Sequence, residues 1–146
     1  MRPTAVFCIG FLALACAVHS LPAFAECNER SVYKFIFDER NQPRTWQEVH
    51  AAYVRFSGCD DGVVGQWFSD LVVKRLANRW STFPDLVLIV RKDPAFGPWV
   101  VSHVDASSDS LDLAHAVHNA RSRSFRRGAT LCRRIAAAGE KAVREE

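Results

Sequence analysis

Apolar side chains recur every three or four positions along most of the chain from residue 45 onward. The stretch TWQE at 45–48 has the form of a capping box, in which the Thr45 and Glu48 side chains each bond the other residue's backbone N–H. An apolar helix face follows, made of Trp46, Val49, Tyr53 and Phe56. Gly58 is expected to end this first predicted helix.

A second, broader apolar stripe runs from residue 63 to residue 80, directly after the sequence CDDG at 59–62. Asp60 and Asp61 stand where a helix begins, and basic residues stand near its end. Acids at the N-terminus and bases at the C-terminus of a helix complement its dipole. Two adjacent carboxylates could also share acid–base chemistry, but neighbouring side chains on a helix point in different directions. The pattern therefore favours capping as the role of both aspartates.

Further helices are predicted from near Thr82 to about Lys92, from Asp93 to near Val104, over 111–121 and over 129–146. Pro84 and Pro94 fall in first turns, where the missing N–H costs nothing. No hairpin or alternating strand pattern is evident. The sequence thus predicts an all-α protein of five or six short helices in antiparallel pairs. Residues 45–146 would form a single helical domain, and residues 26–44 an N-terminal arm, apolar or briefly helical.

The N-terminus has the three parts of a secretory signal peptide. Arg2 supplies a positive charge, residues 5–18 are apolar, and the helix-breaking Pro22 is followed by the small residues Ala23 and Ala25, which form a small-x-small cleavage motif. We expect cleavage after Ala25 and export to the periplasm. The apolar run is shorter than the roughly 20 residues that a transmembrane helix needs. No later segment is more apolar, so no membrane span is predicted in the mature chain.

Charge and motifs narrow the function classes. The whole chain carries a formal charge of +3, and loss of Arg2 with the signal leaves the mature chain near neutral. This balance does not predict nucleic-acid binding. The sequence holds no nucleophile elbow, metalloprotease helix, phosphate-binding loop, dinucleotide fingerprint or zinc cysteine pair. No cofactor is predicted, and a non-enzymatic protein is favoured although catalysis is left open.

Three cysteines remain after the signal, Cys27, Cys59 and Cys132. In an oxidising compartment, one disulfide and one leftover thiol is the simplest outcome. Cys27 would lie next to a loose new terminus, so we expect the pair Cys59–Cys132, with Cys27–Cys59 as the rival. A reactive Cys59 thiolate at a helix start is the catalytic alternative.

Two histidines suggest a metal site as an alternative function. His115 and His118 are three residues apart on one predicted helix, and Asp112 lies one turn before them. This spacing suits two or three ligands of a metal carrier or metal-dependent enzyme. The competing interpretation is one exposed histidine and one that packs on the core.

Arginines concentrate between residues 121 and 134 and predict a contact surface. We expect partner binding at the first part of this run, namely Arg121, Arg123, Phe125, Arg126 and Arg127, with Arg133 and Arg134 extending it. Arginine around an aromatic side chain is a common interface composition. For an exported protein the candidate anions are lipid headgroups, cell-wall carboxylates or an acidic protein face. The acidic loop DASSDS at 105–110 is a second candidate surface.

The motif series CDDGVVGQWFSDLVVKRLANRW, DPAF, VSHVDAS, NA and a later cysteine resembles a class of small exported proteobacterial helical proteins to which no activity is generally assigned. In architecture the chain is also similar to the periplasmic immunity proteins that neutralise type VI secretion amidases. That resemblance implies occlusion of an amidase cleft by a helix pair or loop. Our leading hypothesis is a periplasmic, non-enzymatic module that binds an unidentified protein as an inhibitor or immunity factor. A homodimer is an open alternative.

Overall fold

The computed structural model describes residues 27–123 and 125–145. Within these ranges the chain is all-helical, which confirms the predicted fold class. Seven α-helices are present there, one more than the upper end of the prediction: α1 Glu29–Ile36, α2 Trp46–Phe56, α3 Gly62–Asn78, α4 Phe83–Lys92, α5 Phe96–Ser102, α6 Ser110–Ser122 and α7 Ala129–Glu145. The helix that raises the number is α1, which the sequence left as an arm or a short helix. The predicted signal peptide and its cleavage site lie outside the described residues.

Local signals in the sequence explain several helix ends. The capping box is confirmed: Thr45 Oγ1 accepts from the Glu48 N–H at 3.2 Å, and the Glu48 carboxylate accepts from the Thr45 N–H at 3.0 Å. Helix α2 ends at Phe56, and a 3-10 turn over Ser57–Cys59 contains Gly58. Pro84 lies in the first turn of α4, as expected. None of the described helices is both long enough and apolar enough to cross a membrane.

The main core is built around α6, which packs against both α3 and α7. Asn119 of α6 is buried, and its amide donates to the carbonyl oxygens of Leu76 and Ala77 at 3.0 and 2.9 Å. A Cβ placed on Gly139 of α7 would collide with the Val117 side chain of α6. The absence of a side chain at this glycine therefore lets α7 approach α6 closely.

A smaller apolar cluster lies under α1, where side chains of α1, α2 and α3 meet: Val32, Ile36, Ala52, Phe56, Cys59, Val64 and Phe68. Trp99 of α5 packs against both this cluster and the main core. The aromatic ring of Trp99 therefore joins the two apolar regions into one body.

The disulfide joins Cys27 to Cys59, with an S–S distance of 2.01 Å, so the favoured pairing Cys59–Cys132 is wrong and the rival pairing is correct. Cys27 is not held loosely, because Asn28 caps α1 by accepting from the Ser31 N–H at 3.0 Å and α1 packs on α3. Cys132 is a free thiol, only 2% exposed in the main core. The leftover thiol is therefore enclosed by packing.

A buried arginine fixes the segment before α2. Arg75 of α3 is 8% exposed and donates to the Pro43 carbonyl at 2.9 Å and to the Arg44 carbonyl. Its guanidinium also lies 5.7 Å from the centre of the Trp46 ring. Burial lowers the pKa of Arg75, although the nearby Glu48 charge opposes this effect. Arg75 is thus a structural cation that holds residues 43–46 against α3.

Candidate functional site: an arginine-lined groove

A surface groove of about 330 Å³ separates α4 and α5 from the start of α7. One side is formed by the end of α4 and the first turn of α5. The other side is formed by a 3-10 turn over Arg126–Gly128 and the first two turns of α7. We call this feature the arginine groove, because four arginines line it: Arg91, Arg126, Arg127 and Arg134.

The charge of the arginine groove is uncompensated. Its lining contains no aspartate or glutamate. All four arginine side chains are exposed, and none forms an ion pair within residues 27–123 and 125–145. Positive charges without internal partners in a concave surface raise the local electrostatic potential, which attracts anions.

The floor of the groove is apolar. Val87 of α4 and Leu131 of α7 are 6% and 8% exposed, and the half-buried Val90 lies beside them. Pro94 and Pro98 complete the α5 side. The groove therefore combines an apolar base with a charged rim, which is the composition of a binding surface.

Two glycines let neighbouring segments pack closely against α4: Gly128 in the 3-10 turn and Gly97 in α5. A Cβ on Gly128 would lie 2.6 Å from Val87 Cγ2 and 2.9 Å from Phe83 Cε1. A Cβ on Gly97 would lie 2.9 Å from Val90 Cγ1. Both positions leave no room for a side chain, so the groove's shape depends on glycine at each of them.

The predicted partner-binding residues divide into two groups. Arg126 and Arg127 line the arginine groove. Arg121 instead pairs with Glu140 of α7, and the exposed Arg123 offers its carbonyl to the Trp80 indole N–H at 3.2 Å. Phe125 packs against the main core, its ring centre 6.5 Å from that of Phe83. Only part of the predicted surface therefore lines the groove, and the remaining residues make contacts within the fold.

Arg91 is the groove residue that sequence reasoning missed. It lies in the last turn of α4, where a base also complements the helix dipole. Arg134 belonged to the predicted basic run but not to the residues singled out for binding. Nothing local in the sequence places Arg91 beside residues 126–134, because only the packing of α4 against the 3-10 turn does so.

The metal-site residues do not gather into a ligand set. His115 and His118 are both exposed on α6, contrary to the expectation that one would pack on the core. Asp112 accepts from the Asn78 amide at 2.9 Å. No three His, Cys, Asp or Glu side chains among the described residues stand close enough to hold a metal ion. The metal-binding alternative gains no support here and stays a prediction.

The two aspartates of CDDG have different surroundings, and the predicted side-chain capping bond is found for neither of them. Asp61 is at the N-cap position of α3, but its side chain makes no capping bond. Asp60 accepts from the Trp99 indole N–H at 2.6 Å and bonds His103 Nε2 at 2.9 Å. His103 Nδ1 bonds the Trp99 carbonyl at 2.9 Å. We call this set of three residues the Asp60 network.

The polar side-chain atoms of the Asp60 network are bonded within the fold. Both ring nitrogens of His103 face acceptors, and its side chain is 8% exposed, so the imidazole is held in place by the fold. Burial opposes ionisation of Asp60, but the hydrogen bond and charge of His103 and the Trp99 bond outweigh it. The pKa of Asp60 is therefore lowered. The catalytic interpretation of CDDG gains nothing, since Cys59 is also in the disulfide.

The acidic loop at 105–110 uses its carboxylates within the fold. Asp105 accepts from the Ser69 hydroxyl at 2.8 Å and from the Ser107 N–H at 2.9 Å. Asp109 caps α6 by accepting from the N–H groups of Leu111 and Asp112, each at 3.0 Å. These bonds make the loop a structural element, which weakens its candidacy as a contact surface.

Comparison with known proteins identified no relative of this chain. No family model, curated protein or solved structure matches the chain.

Proposed function

We propose that this protein is an exported, non-enzymatic module that binds another protein through the arginine groove. One observation carries the proposal: four exposed arginines without internal partners surround an apolar floor, and the lining holds no acid. Surface arginines usually cost little when solvated, but a cluster around buried apolar side chains becomes favourable when a partner supplies carboxylates and excludes water. An inhibitor or immunity protein would use such a surface to cover its target.

The non-enzymatic part of the proposal is supported by the state of the other polar groups. Each polar atom of the Asp60 network is engaged within the fold. His115 and His118 lie exposed on α6, outside any group of three metal-binding side chains. The arginine groove instead brings four exposed arginines without ion-pair partners together in one concave surface of the described residues, which favours recognition over chemistry.

The test is capture of a partner followed by measurement of the purified complex. Immobilised wild-type protein is exposed to an envelope extract, and the retained protein is purified and titrated against three forms of the chain. These are the wild type, the groove variant Arg126→Glu/Arg127→Glu, and the control variant Arg30→Glu/Arg144→Glu. The control has the same change in net charge at exposed arginines on α1 and α7 outside the groove.

We expect the groove variant to bind at least about tenfold more weakly, because one charge-assisted hydrogen bond contributes about 1.5–3 kcal/mol. The control should bind within about threefold of the wild type, since separated surface charges are screened by salt. Equal affinity of the groove variant and the wild type would contradict the proposal, as would repeated failure to retain any stoichiometric partner.

A further inference from the structure

We infer that the occupant of the arginine groove is an acidic protein segment whose carboxylates flank one large apolar side chain. This inference rests on the proposed function and specifies the partner's chemistry. The apolar side chain would lie on the floor formed by Val87, Val90 and Leu131, and the carboxylates would meet the arginines of the rim.

Charge complementarity is the first argument. The groove holds four arginines, whereas the whole chain has a net formal charge of only +3. Four positive charges in one groove exceed the net charge of the whole chain, so the other residues together are slightly negative. The guanidinium group presents a planar fork that matches a carboxylate with two parallel hydrogen bonds. An acidic segment therefore fits the rim better than a neutral or basic one.

The size and lining of the floor provide the second argument. A volume of about 330 Å³ is enough for one phenylalanine or leucine side chain with its neighbouring backbone, but not for a whole helix. Val87 and Leu131 are largely withdrawn from water already, so they form a firm base instead of a mobile tip. Burying a large apolar side chain there removes its surface from water and so favours binding.

The distribution of exposed apolar side chains argues against an anionic membrane as the occupant. A protein that lies on a bilayer inserts large apolar side chains beside its basic ones. The exposed large apolar residues of the described chain lie outside the groove lining: Tyr33, Phe37, Val54, Val63, Leu88, Leu111 and Val143. The groove is also concave, and a planar lipid surface would reach its rim without touching its floor.

The probes for this inference are three fluorescent peptides of equal length and one set of vesicles. The first peptide has glutamates on both sides of a single phenylalanine. The second has serine in place of the phenylalanine, and the third has lysines in place of the glutamates. The vesicles contain phosphatidylglycerol in phosphatidylcholine. Each probe is titrated against the wild type, Arg126→Glu/Arg127→Glu and Arg30→Glu/Arg144→Glu.

The glutamate–phenylalanine peptide should bind, and added salt should weaken its binding. The serine peptide should bind at least about tenfold more weakly, which corresponds to the loss of one buried apolar side chain. The lysine peptide and the vesicles should not bind. Arg126→Glu/Arg127→Glu should weaken the first peptide at least about tenfold, and Arg30→Glu/Arg144→Glu should leave it nearly unchanged.

Several results would overturn the inference: no binding of the glutamate–phenylalanine peptide, equal binding of the serine peptide, indifference to the groove variant, or preferred binding of vesicles. Its failure can be told apart from failure of the proposed function. If the captured partner depends on Arg126 and Arg127 but the peptide neither binds nor competes, the protein-binding function stands and the acidic-segment inference fails.

Discussion

The arginine groove and the Asp60 network both concentrate polar groups, but they treat those groups in opposite ways. In the Asp60 network, the carboxylate, the indole and both imidazole nitrogens have partners supplied by the fold. In the arginine groove, four guanidinium groups have no ion-pair partner among the described residues. The first arrangement joins the start of α3 to α5, and the second leaves charge available at the surface.

This difference implies that the Asp60 network contributes to the stability of the fold, whereas the arginine groove contributes to recognition of a partner. Charged groups satisfied inside the fold destabilise it when one of them is removed, because the remaining partner is left buried and unpaired. Exposed charges without partners contribute little to folding, so their substitution should affect only what binds to them. Mutations at the two sites should therefore have separable effects on unfolding and on affinity.

The largest effect is expected at the Asp60 network. Asp60→Ala should lower the free energy of unfolding by about 3 kcal/mol, because His103 and Trp99 lose their common acceptor in a half-buried site. Urea denaturation followed by circular dichroism measures this change. The neighbouring Asp61→Ala is the control, since Asp61 is exposed and its side chain makes no capping bond. Equal decreases in unfolding free energy for Asp60→Ala and Asp61→Ala would contradict the stabilising role of the Asp60 network.

Acid should remove the same stabilisation. The folded pKa of Asp60 is lowered, because the bonds from His103 and Trp99 and the His103 charge outweigh the opposing effect of burial. In the unfolded chain the pKa of an aspartate is about 3.9. The contribution is thus fully present above that value and is lost as pH falls through the lower, folded pKa. The difference in unfolding free energy between wild type and Asp60→Ala should shrink below about pH 4. A difference that stays constant down to the folded pKa would contradict this.

An intermediate effect is expected where the groove meets the core. Gly128→Ala should destabilise the protein by about 2 kcal/mol, because the new methyl group would crowd Val87 and Phe83. It should also widen the groove and weaken partner binding. Gly65→Ala is the matched control, as its Cβ would make only an ordinary contact, 3.5 Å from Asp60 Oδ1. Thermal unfolding of both variants measures the contrast, and similar melting temperatures would refute it.

The smallest effect on folding is expected in the rim. Arg126→Glu and Arg127→Glu should each change the unfolding free energy by less than about 0.5 kcal/mol, because both side chains are exposed and unpaired. Arg121→Glu should be more destabilising than either, since it would place a like charge beside Glu140. Chemical denaturation of the three variants tests this order. A rim variant that unfolds as readily as Asp60→Ala would show that the groove is structural.

Local sequence signals predicted the helices better than the sites. The Thr45–Glu48 capping box and the first-turn position of Pro84 depend on residues within one helical turn, and both are found as predicted. Asp60 bonds Trp99 and His103, which are 39 and 43 positions away along the chain. Local spacing carries no information about such contacts, so the two adjacent aspartates looked equivalent. For the same reason, local spacing did not reveal that Arg91 lines the groove, and it favoured the wrong disulfide partner for Cys59.

The burial of Cys132 has a consequence for oxidative folding. Three pairings are open to Cys27, Cys59 and Cys132 in an unfolded chain, and two of them use Cys132. Once α7 has docked on α6, the thiol is enclosed and can no longer exchange with the Cys27–Cys59 bridge. The order of events therefore matters: a chain that packs α7 before it meets an oxidant has one bridge left to form, whereas a chain that has already formed a Cys132 bridge must exchange it before α7 can pack.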